Sequence, residues 1–324
     1  MTEFITIGEP LVVLASTDID VELQNVKNFK KYLAGAELNV AIGLSRLGHD
    51  VTYLSKIGND PFGDFILNAA NEAEIDTKEL LIDANHSTGF YLKQSVTHGD
   101  PEVAYFRKHS AASNLRESDI LNLDLRDTKL AHLSGIFPAL SRTALQTFKA
   151  FNKRLNDAKI MTIFDPNLRP ALWESKEQMI QITNELAKNS QIVLPGINEG
   201  EVLMGERDPE KIADFYLKQS ELTQCVVVKL GDKGAFFKTK NKNGKFIDGF
   251  KVEHVVDTVG AGDGFAVGLE SALLEEWSLE EAVKRACAVG ACAVLSAGDN
   301  DGYPTREQLV EFINKNTDRG RFAC

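Results

Sequence analysis

The chain has few cysteines and no long apolar run. Four of its 324 residues are cysteine (Cys225, Cys287, Cys292 and Cys324), and no Cys-x-x-Cys spacing occurs. We therefore expect free thiols in a reducing compartment rather than a disulfide framework. The amino terminus lacks a basic segment followed by an apolar one, and no stretch approaches the roughly 18 apolar residues of a membrane span. These absences predict a cytoplasmic protein with no membrane partner.

Basic residues are also in short supply, since 36 lysines and arginines face 47 acidic residues and give a formal net charge of −11. This balance argues against a nucleic-acid partner, which would need a basic surface. An anionic substrate must therefore be bound by local cations. The six histidines have no metal-ligand spacing, and we expect them to be structural.

Two common nucleotide-binding motifs are missing. No Gly-x-x-x-x-Gly-Lys-Ser/Thr run occurs, which excludes a P-loop. The first predicted strand, Phe4 to Ile7, continues into Gly8-Glu9-Pro10 rather than Gly-x-Gly-x-x-Gly, so a dinucleotide-binding first turn is unsupported.

Apolar periodicity predicts an α/β fold. Short β-branched runs alternate with amphipathic segments, at 51–57 then 62–73, 129–133 then 143–155, and 160–164 then 179–187. This alternation is typical of a doubly wound, mostly parallel sheet flanked by helices. No Pro-, Gly- or Ser-rich linker divides the chain, so we predict one domain spanning residues 1–324. Residues 11–33 and 89–107 break the alternation and predict either a small β-sheet lid or a pair of surface hairpins.

The most informative motif is Asp257-Thr-Val-Gly-Ala-Gly-Asp263, which leads into apolar residues at helical spacing. A helix start presents unpaired N–H groups to an anion, and Gly260 and Gly262 allow close backbone approach to a phosphate. A carboxylate at that place, Asp263, is useful as a base that accepts a proton from an attacking hydroxyl. The alternative is that Asp263 is a plain helix cap and the glycines form an ordinary turn.

This motif resembles the carboxy-terminal signature of the ribokinase-like (PfkB) carbohydrate kinases. Ala34-Gly35-Ala36-Glu37-Leu38-Asn39 resembles the amino-terminal one, with alanine at 34 where the family usually has glycine, and it opens a helix predicted from about Ala36 to Leu47. The resemblance covers essentially the whole chain. It implies a ribokinase-like fold with a small β-sheet lid, use of ATP and Mg²⁺, Asp263 as catalytic base, and an anion hole at Gly260, Ala261 and Gly262. In the family the lid also tends to mediate dimers, which implies a homo-oligomer.

Two arginines favour an acidic sugar as substrate. Arg169 lies in Asp165-Pro-Asn-Leu-Arg-Pro170, where two prolines stiffen the loop, and Arg107 follows a predicted lid strand. Guanidinium groups bind carboxylates bidentately, so both together favour a sugar acid over a neutral sugar. Each arginine could instead be a solvated surface cation.

Within the family, Gly8-Glu-Pro-Leu-Val12 and Gly35 to Ala41 are similar to elements of members that act on 2-keto-3-deoxygluconate. The resemblance implies ATP-dependent phosphorylation of the 6-hydroxyl of that sugar acid. The implied acceptor pocket consists of Gly35, Asn39, Tyr91, Tyr105, Arg107, Arg169, Asp263 and Asp299. The alternatives are a kinase of a neutral sugar, such as fructose or ribose, or of a nucleoside, and more remotely a non-catalytic sugar-acid sensor. The sequence does not distinguish the gluconate from the galactonate epimer.

The nucleotide side is also implied by resemblance. Asn198-Glu-Gly-Glu201 resembles an Asn-x-x-Glu element that orders magnesium through Glu201, although it could be a plain acidic first turn of a helix. The implied ATP contacts are Asn167, Asn198, Lys229, Gly231 and Gly234, together with Gly260, Ala261 and Gly262. The run from Lys229 to Gly234 could equally be a hairpin turn. Asp257 could hold a monovalent cation, as in some relatives, or stabilise its own turn. Asp299 to Gly302 lacks the register of a calcium loop.

Overall fold

Short apolar segments form the strands of two sheets. The computed structural model describes residues 2–321. Its strands are β1 (Phe4–Ile7), β2 (Leu11–Ile19), β3 (Phe29–Ala34), β4 (Val51–Gly58), β5 (Leu80–Asp83), β6 (Phe90–Ser95), β7 (Val103–Phe106), β8 (Leu130–Ser134), β9 (Met161–Asp165), β10 (Ile192–Val193), β11 (Cys225–Lys229), β12 (Ala235–Thr239) and β13 (Lys245–Ile247).

The larger sheet has nine strands in the order β13-β12-β11-β10-β9-β8-β1-β4-β5. All neighbours from β11 to β5 pair in parallel, and only β12 and β13 are antiparallel. The mostly parallel, doubly wound sheet predicted from the alternation of elements is therefore confirmed. In β11, successive residues alternate between two apolar cores, Cys225 and Val227 in one and Val226 and Val228 in the other. Helices must accordingly cover both faces of this sheet.

Nine helices were found among the described residues: α1 (Ala36–Arg46), α2 (Pro61–Glu72), α3 (Arg142–Asp157), α4 (Lys176–Ala187), α5 (Ile197–Met204), α6 (Pro209–Gln219), α7 (Ala261–Leu274), α8 (Leu279–Ala293) and α9 (Arg306–Arg321). One core packs mainly against α1, α7 and α8, and the other against α3 and α6. Capping residues define several helix starts, because Asp60 accepts from the amides of Phe62 and Gly63, and Ser278 accepts from that of Glu281.

The smaller sheet contains the two segments that broke the alternation. Its strand order is β3-β2-β6-β7, with β2 and β6 parallel and the outer pairs antiparallel. The chain enters or leaves this sheet at Glu9, Gly35, Gly89 and Arg107, next to the carboxyl edge of the large sheet. In the segments 11–33 and 89–107 the structure places β2 and β3, and β6 and β7, respectively.

The described cysteines are consistent with free thiols. Cys225, Cys287 and Cys292 are buried and unbonded, and Cys324 lies outside the described residues. A search of residues 2–321 found no helix with both the length and the apolarity needed to cross a bilayer.

Candidate active site

A cleft of about 800 Å³ lies where the carboxyl edge of the large sheet meets the start of α7 and the small sheet. Glu9 follows β1, and Asp165 and Lys229 end β9 and β11, so these three side chains reach the cleft from one sheet edge. Parallel strands present their carboxyl ends together, and ligands of open α/β sheets gather there.

Most of the predicted site residues line this cleft. The predicted acceptor-pocket residues that do so are Gly35, Asn39, Tyr91, Tyr105, Arg107, Arg169, Asp263 and Asp299. The predicted nucleotide contacts that do so are Asn167, Asn198, Lys229, Gly231, Gly260 and Gly262. Residues more than 200 positions apart in the sequence thus share one cavity.

Three predicted residues are not brought into the cleft. Glu201 points away, since its carboxylate pairs with Arg207 and both side chains are more than half exposed. Gly234 forms the tight turn between β11 and β12, where its amide donates to the carbonyl of Gly231. Ala261 does not line the cavity, and its amide donates to the carbonyl of Thr258 at 3.3 Å.

Asp263 lies in the first turn of α7 and is held by two amide side chains. Nδ2 of Asn39 donates to one carboxylate oxygen at 2.9 Å, and Nδ2 of Asn167 donates to the other at 3.4 Å. Burial raises the pKa of Asp263, the Asn39 hydrogen bond lowers it, and the neighbouring Asp165 and Asp299 raise it further, to about 6 from an ordinary 3.8. A carboxylate with a pKa close to neutral can accept and release a proton under ordinary conditions.

The start of α7 presents unpaired backbone amides beside this carboxylate. No acceptor among residues 2–321 takes the amide hydrogens of Gly262 and Asp263, as expected for the first residues of a helix. Gly260 has a φ of 79°, and a Cβ there would lie 1.9 Å from the carbonyl oxygen of Asp299, so only glycine fits. Of the predicted anion hole, the amides of Gly260 and Gly262 have no acceptor among the described residues, whereas that of Ala261 donates to Thr258. The amide of Asp263 is available beside them.

A second charged group, Lys229, lies close to these amides. Nζ of Lys229 pairs with Asp165 at 2.6 Å, and it lies 3.9 Å from where a Cβ of Gly262 would be. Burial lowers the pKa of Lys229, but Asp165 and Glu199 raise it overall, so this lysine is charged. Glu199 also faces the cleft, and its carboxylate accepts from the amides of Leu168 and Gly196.

Asn39 connects Asp263 to the loop at 299–300. Its Oδ1 accepts from Nδ2 of Asn300 at 2.9 Å, while its own amide group donates to Asp263. Burial raises the pKa of Asp299 to about 6, with Lys93 lowering it and Asp257 raising it. Asn39 is only 1% exposed and lines the cavity. Its two hydrogen bonds place it to orient Asp263.

The small sheet adds aromatic and cationic side chains. Tyr91 on β6 and Tyr105 on β7 are paired across the strands, with ring centroids 5.2 Å apart. Lys93 lies two residues beyond Tyr91, on the same face, and its Nζ is 3.7 Å from a carboxylate oxygen of Asp257. Asp257 also accepts the amide of Val259 at 3.0 Å, which stabilises its own turn.

The two predicted carboxylate-binding arginines differ in their surroundings. Arg107 is 9% exposed and is paired with the fully buried Glu9. Arg169 is exposed at the cleft, donates to the carbonyl of Leu168, and has no ion-pair partner among the described residues. Arg169 is thus the more available cation for a ligand.

Sequence reasoning missed five charged cleft residues. All five line the cavity but were not singled out as site residues: Glu9, Glu37, Lys93, Asp165 and Glu199. Two signals were present: Glu9 and Asp165 each stand at the end of a predicted parallel strand, where ligand sites form. The other three depend on how α1, β6 and α5 are rotated against the cleft.

Comparison with known proteins found sugar kinases that match nearly the whole chain. A curated relative, the 2-dehydro-3-deoxygluconokinase of Bacillus subtilis (strain 168), is 43% identical over 312 residues, 96% of this chain and 95% of the relative. Among solved structures, a PfkB protein from Polaromonas sp. JS666 is 41% identical, with a TM-score of 0.86 over 96% of this chain and 99% of that one. A sugar kinase from Pyrococcus horikoshii in complex with ATP is 27% identical, with a TM-score of 0.82 over 95% and 97%.

The model of one protein family matches nearly the full length, from residue 1 to residue 306. The chain belongs to the pfkB family of carbohydrate kinases.

Proposed function

We propose that this kinase transfers the γ-phosphoryl group of ATP to the 6-hydroxyl of 2-keto-3-deoxygluconate. The observation that carries the proposal is the juxtaposition of the Asp263 carboxylate with the available amides of Gly262 and Asp263. A proton acceptor and an anion cradle are the two elements that phosphoryl transfer to an alcohol requires. The high identity to the Bacillus subtilis relative supports the choice of sugar acid.

In the proposed reaction the sugar hydroxyl lies against Asp263. As its oxygen bonds to phosphorus, its proton passes to the carboxylate and the bond to the ADP oxygen breaks. The amides of Gly262 and Asp263 donate to the transferring phosphoryl group, and Lys229, close to Gly262, adds positive charge. The hydrogen bonds from Asn39 and Asn167 hold the carboxylate in place.

Magnesium fits the acidic side of the cleft. It would neutralise the β and γ phosphates of bound ATP, and it needs only one or two carboxylates because it keeps most of its waters. We place it near Glu199 and Asn198, which line the cavity, rather than at Glu201. Within residues 2–321 no group of three or more His, Cys, Asp or Glu side chains is arranged to hold a metal ion.

The substrate carboxylate is assigned to Arg169 and Arg107, with Tyr91 and Tyr105 against the sugar. Arg107→Ala is expected to raise KM for the acid by about two orders of magnitude, because a buried charged contact contributes a few kcal/mol. An unchanged KM would favour the alternative, a kinase of a neutral sugar such as fructose or ribose, or of a nucleoside.

Release of ADP from a panel of acceptors tests the proposal directly. The panel contains 2-keto-3-deoxygluconate, its galactonate epimer, fructose, ribose and a nucleoside. We expect the highest kcat/KM with a 2-keto-3-deoxy sugar acid, and a product phosphorylated at the 6-position by mass spectrometry and NMR. A preference for a neutral acceptor would refute the substrate assignment, and binding without ADP release would indicate a non-catalytic sugar-acid sensor.

Asp263→Asn tests the base. The variant should lose nearly all of its kcat while still binding ATP and sugar acid, because the side chain keeps its shape and loses its basicity. Asp301→Asn is the matched control, since Asp301 is an exposed acid near Asp299 that does not line the cleft. Retention of most of the kcat by Asp263→Asn would remove Asp263 from the mechanism.

Four further assignments complete the proposal. We propose that residues 1–324 form one domain in which the small sheet acts as a lid, and that copies of the chain associate through this lid. We assign the protein to the cytoplasm, in keeping with the buried free thiols. A monovalent cation beside Asp257 would appear as a higher kcat in potassium than in choline salts at equal ionic strength.

A further inference from the structure

We propose that Glu9 is a positioning residue that fixes Arg107 for recognition of the substrate carboxylate, at the junction between the two sheets. This inference rests on the proposed function, because it concerns the same acceptor pocket. Glu9 has no role in the proposed reaction, because it is neither the base nor part of the anion site. The proposed reaction therefore leaves its burial and its hydrogen bonds unexplained.

The Glu9 carboxylate is enclosed and its two oxygens have different partners. Nε of Arg107 donates to Oε2 at 2.7 Å, and a second guanidinium nitrogen contacts the same oxygen. The hydroxyl of Ser110 donates to Oε1. The Glu9 side chain is 0% exposed and that of Arg107 is 9% exposed. Charged hydrogen bonds in such surroundings fix orientation closely.

The position of Glu9 in the chain adds a second observation. Glu9 itself lies where the chain passes from β1 into β2, and Arg107 directly follows β7. The other two crossings pack on Glu9: a Cβ at Gly35 would lie 2.7 Å from its carbonyl oxygen, and a Cβ at Gly89 would lie 2.8 Å from its Oε1. All four crossings between the sheets in the described chain therefore meet at this one residue.

Arg107 can serve a ligand while bound to Glu9. Glu9 contacts the guanidinium at Nε and at one terminal nitrogen. A guanidinium has five N–H donors, so others remain for a ligand. Arg107 still lines the cavity, beside Tyr105, whose ring centroid is 5.8 Å away. Without Glu9, this largely buried cation would turn toward another carboxylate or toward water, and the substrate would have to reorder it.

Two possible roles of Glu9, charge neutralisation and positioning, predict changes in KM of opposite sign. If Glu9 merely neutralised Arg107, its removal would leave more positive charge in the cleft and would tighten the binding of an acidic sugar. If Glu9 positions Arg107, its removal weakens that binding. The sign of the change in KM therefore decides between orientation and charge balance.

The experiment is a double-mutant cycle with Glu9→Gln, Arg107→Ala and the double variant, assayed on 2-keto-3-deoxygluconate. Glu9→Gln should raise KM by about tenfold or more, the range for a lost hydrogen bond to a charged group, with kcat changed by less than about threefold. In the Arg107→Ala background the same substitution should have little effect, because Glu9 acts through Arg107. Glu275→Gln, which weakens a Glu–Arg pair outside the cleft, controls for general loss of an ion pair.

Several results would overturn the proposal: an unchanged or lower KM in Glu9→Gln, or an equal loss with and without Arg107. If Glu9→Gln does not fold, Ser110→Ala removes only the hydroxyl that holds Oε1 and should raise KM severalfold, again only when Arg107 is present. No rise in that variant would also overturn it. Wild-type protein that does not phosphorylate the sugar acid would refute the proposed function itself and this inference with it.

Discussion

Replacing Asp263 with asparagine should stabilise the folded protein at neutral and basic pH while it removes activity. The pKa of Asp263 is about 6 in the fold and has an ordinary value of 3.8, with burial as the first cause. A raised acid pKa means that its stabilising contribution is complete below about pH 4 and is lost as the pH rises through 6. Since one pKa unit corresponds to about 1.4 kcal/mol, ionising Asp263 costs the fold up to about 3 kcal/mol at pH 8.

Asparagine avoids this ionisation but keeps only one acceptor oxygen. Asp263 uses two, one toward Asn39 and one toward Asn167. Loss of the longer bond, at 3.4 Å, should cost about 1 kcal/mol. The net gain is therefore expected to be about 1 to 2 kcal/mol at pH 8, or a few degrees in Tm for a chain of this size.

Thermal and urea unfolding of wild type and variant at pH 8, 6 and 4.5 would measure this gain. The advantage of Asp263→Asn should be greatest at pH 8 and should shrink as the pH falls through 6. Asp60→Asn is a control of opposite sign: burial raises the pKa of Asp60, but hydrogen bonds from Thr88 and Gly63 lower it overall. The Asp60→Asn substitution should destabilise the folded protein at neutral pH, and this effect should disappear in acid. An Asp263→Asn variant that is less stable than wild type at pH 8 would refute the inference that the ionised Asp263 carboxylate destabilises the fold.

Other outcomes follow from charged and buried groups. Lys93→Ala should raise KM for an acid substrate several-fold, more at low salt than at high, because this cleft cation has only a loose partner in Asp257; initial rates at two ionic strengths would check this. The three described cysteines, whose pKa values burial raises to about 12, should react with a thiol reagent only after unfolding, as peptide mapping would show. Glu270→Ala should destabilise by about 3–5 kcal/mol in urea titrations, since it leaves the buried, protonated His132 without its counter-charge.

The fold was largely predictable because its sequence signals are local. The helix predicted from Ala36 to Leu47 ends one residue earlier, at Arg46, and the strand predicted at 51–57 extends to Gly58. Apolar periodicity fixes which face of each element is buried, and this requires no knowledge of its neighbours. The choice between a separate sheet and two hairpins at 11–33 and 89–107 was not local, because β2 and β6 pair across more than 70 residues.

The site was predictable where the backbone conformation requires a particular residue type. Gly260 must adopt a positive φ and approach Asp299, so its identity carries information in the sequence alone. Glu199 and Glu201 show where sequence spacing no longer predicts the site. They stand two residues apart on α5, where side chains point in clearly different directions, and spacing gives no means of choosing the one that faces the cleft. The Glu9–Arg107 pair likewise joins positions 98 residues apart.

The balance of charge in the cleft explains how an acidic protein can bind acidic ligands. The carboxylates that line it are Glu9, Glu37, Asp165, Glu199, Asp257, Asp263 and Asp299, and the cations are Lys93, Arg107, Arg169 and Lys229. Arg107 and Lys229 are closely paired with Glu9 and Asp165, and Lys93 is more loosely paired with Asp257. The remaining attraction must come from Arg169, Lys93, the first amides of α7 and a divalent ion brought with the nucleotide. Burial is the main cause of the raised pKa of Asp263, and the neighbouring carboxylates of Asp165 and Asp299 raise it further. The acidity that makes ligand binding harder therefore also strengthens the proposed base.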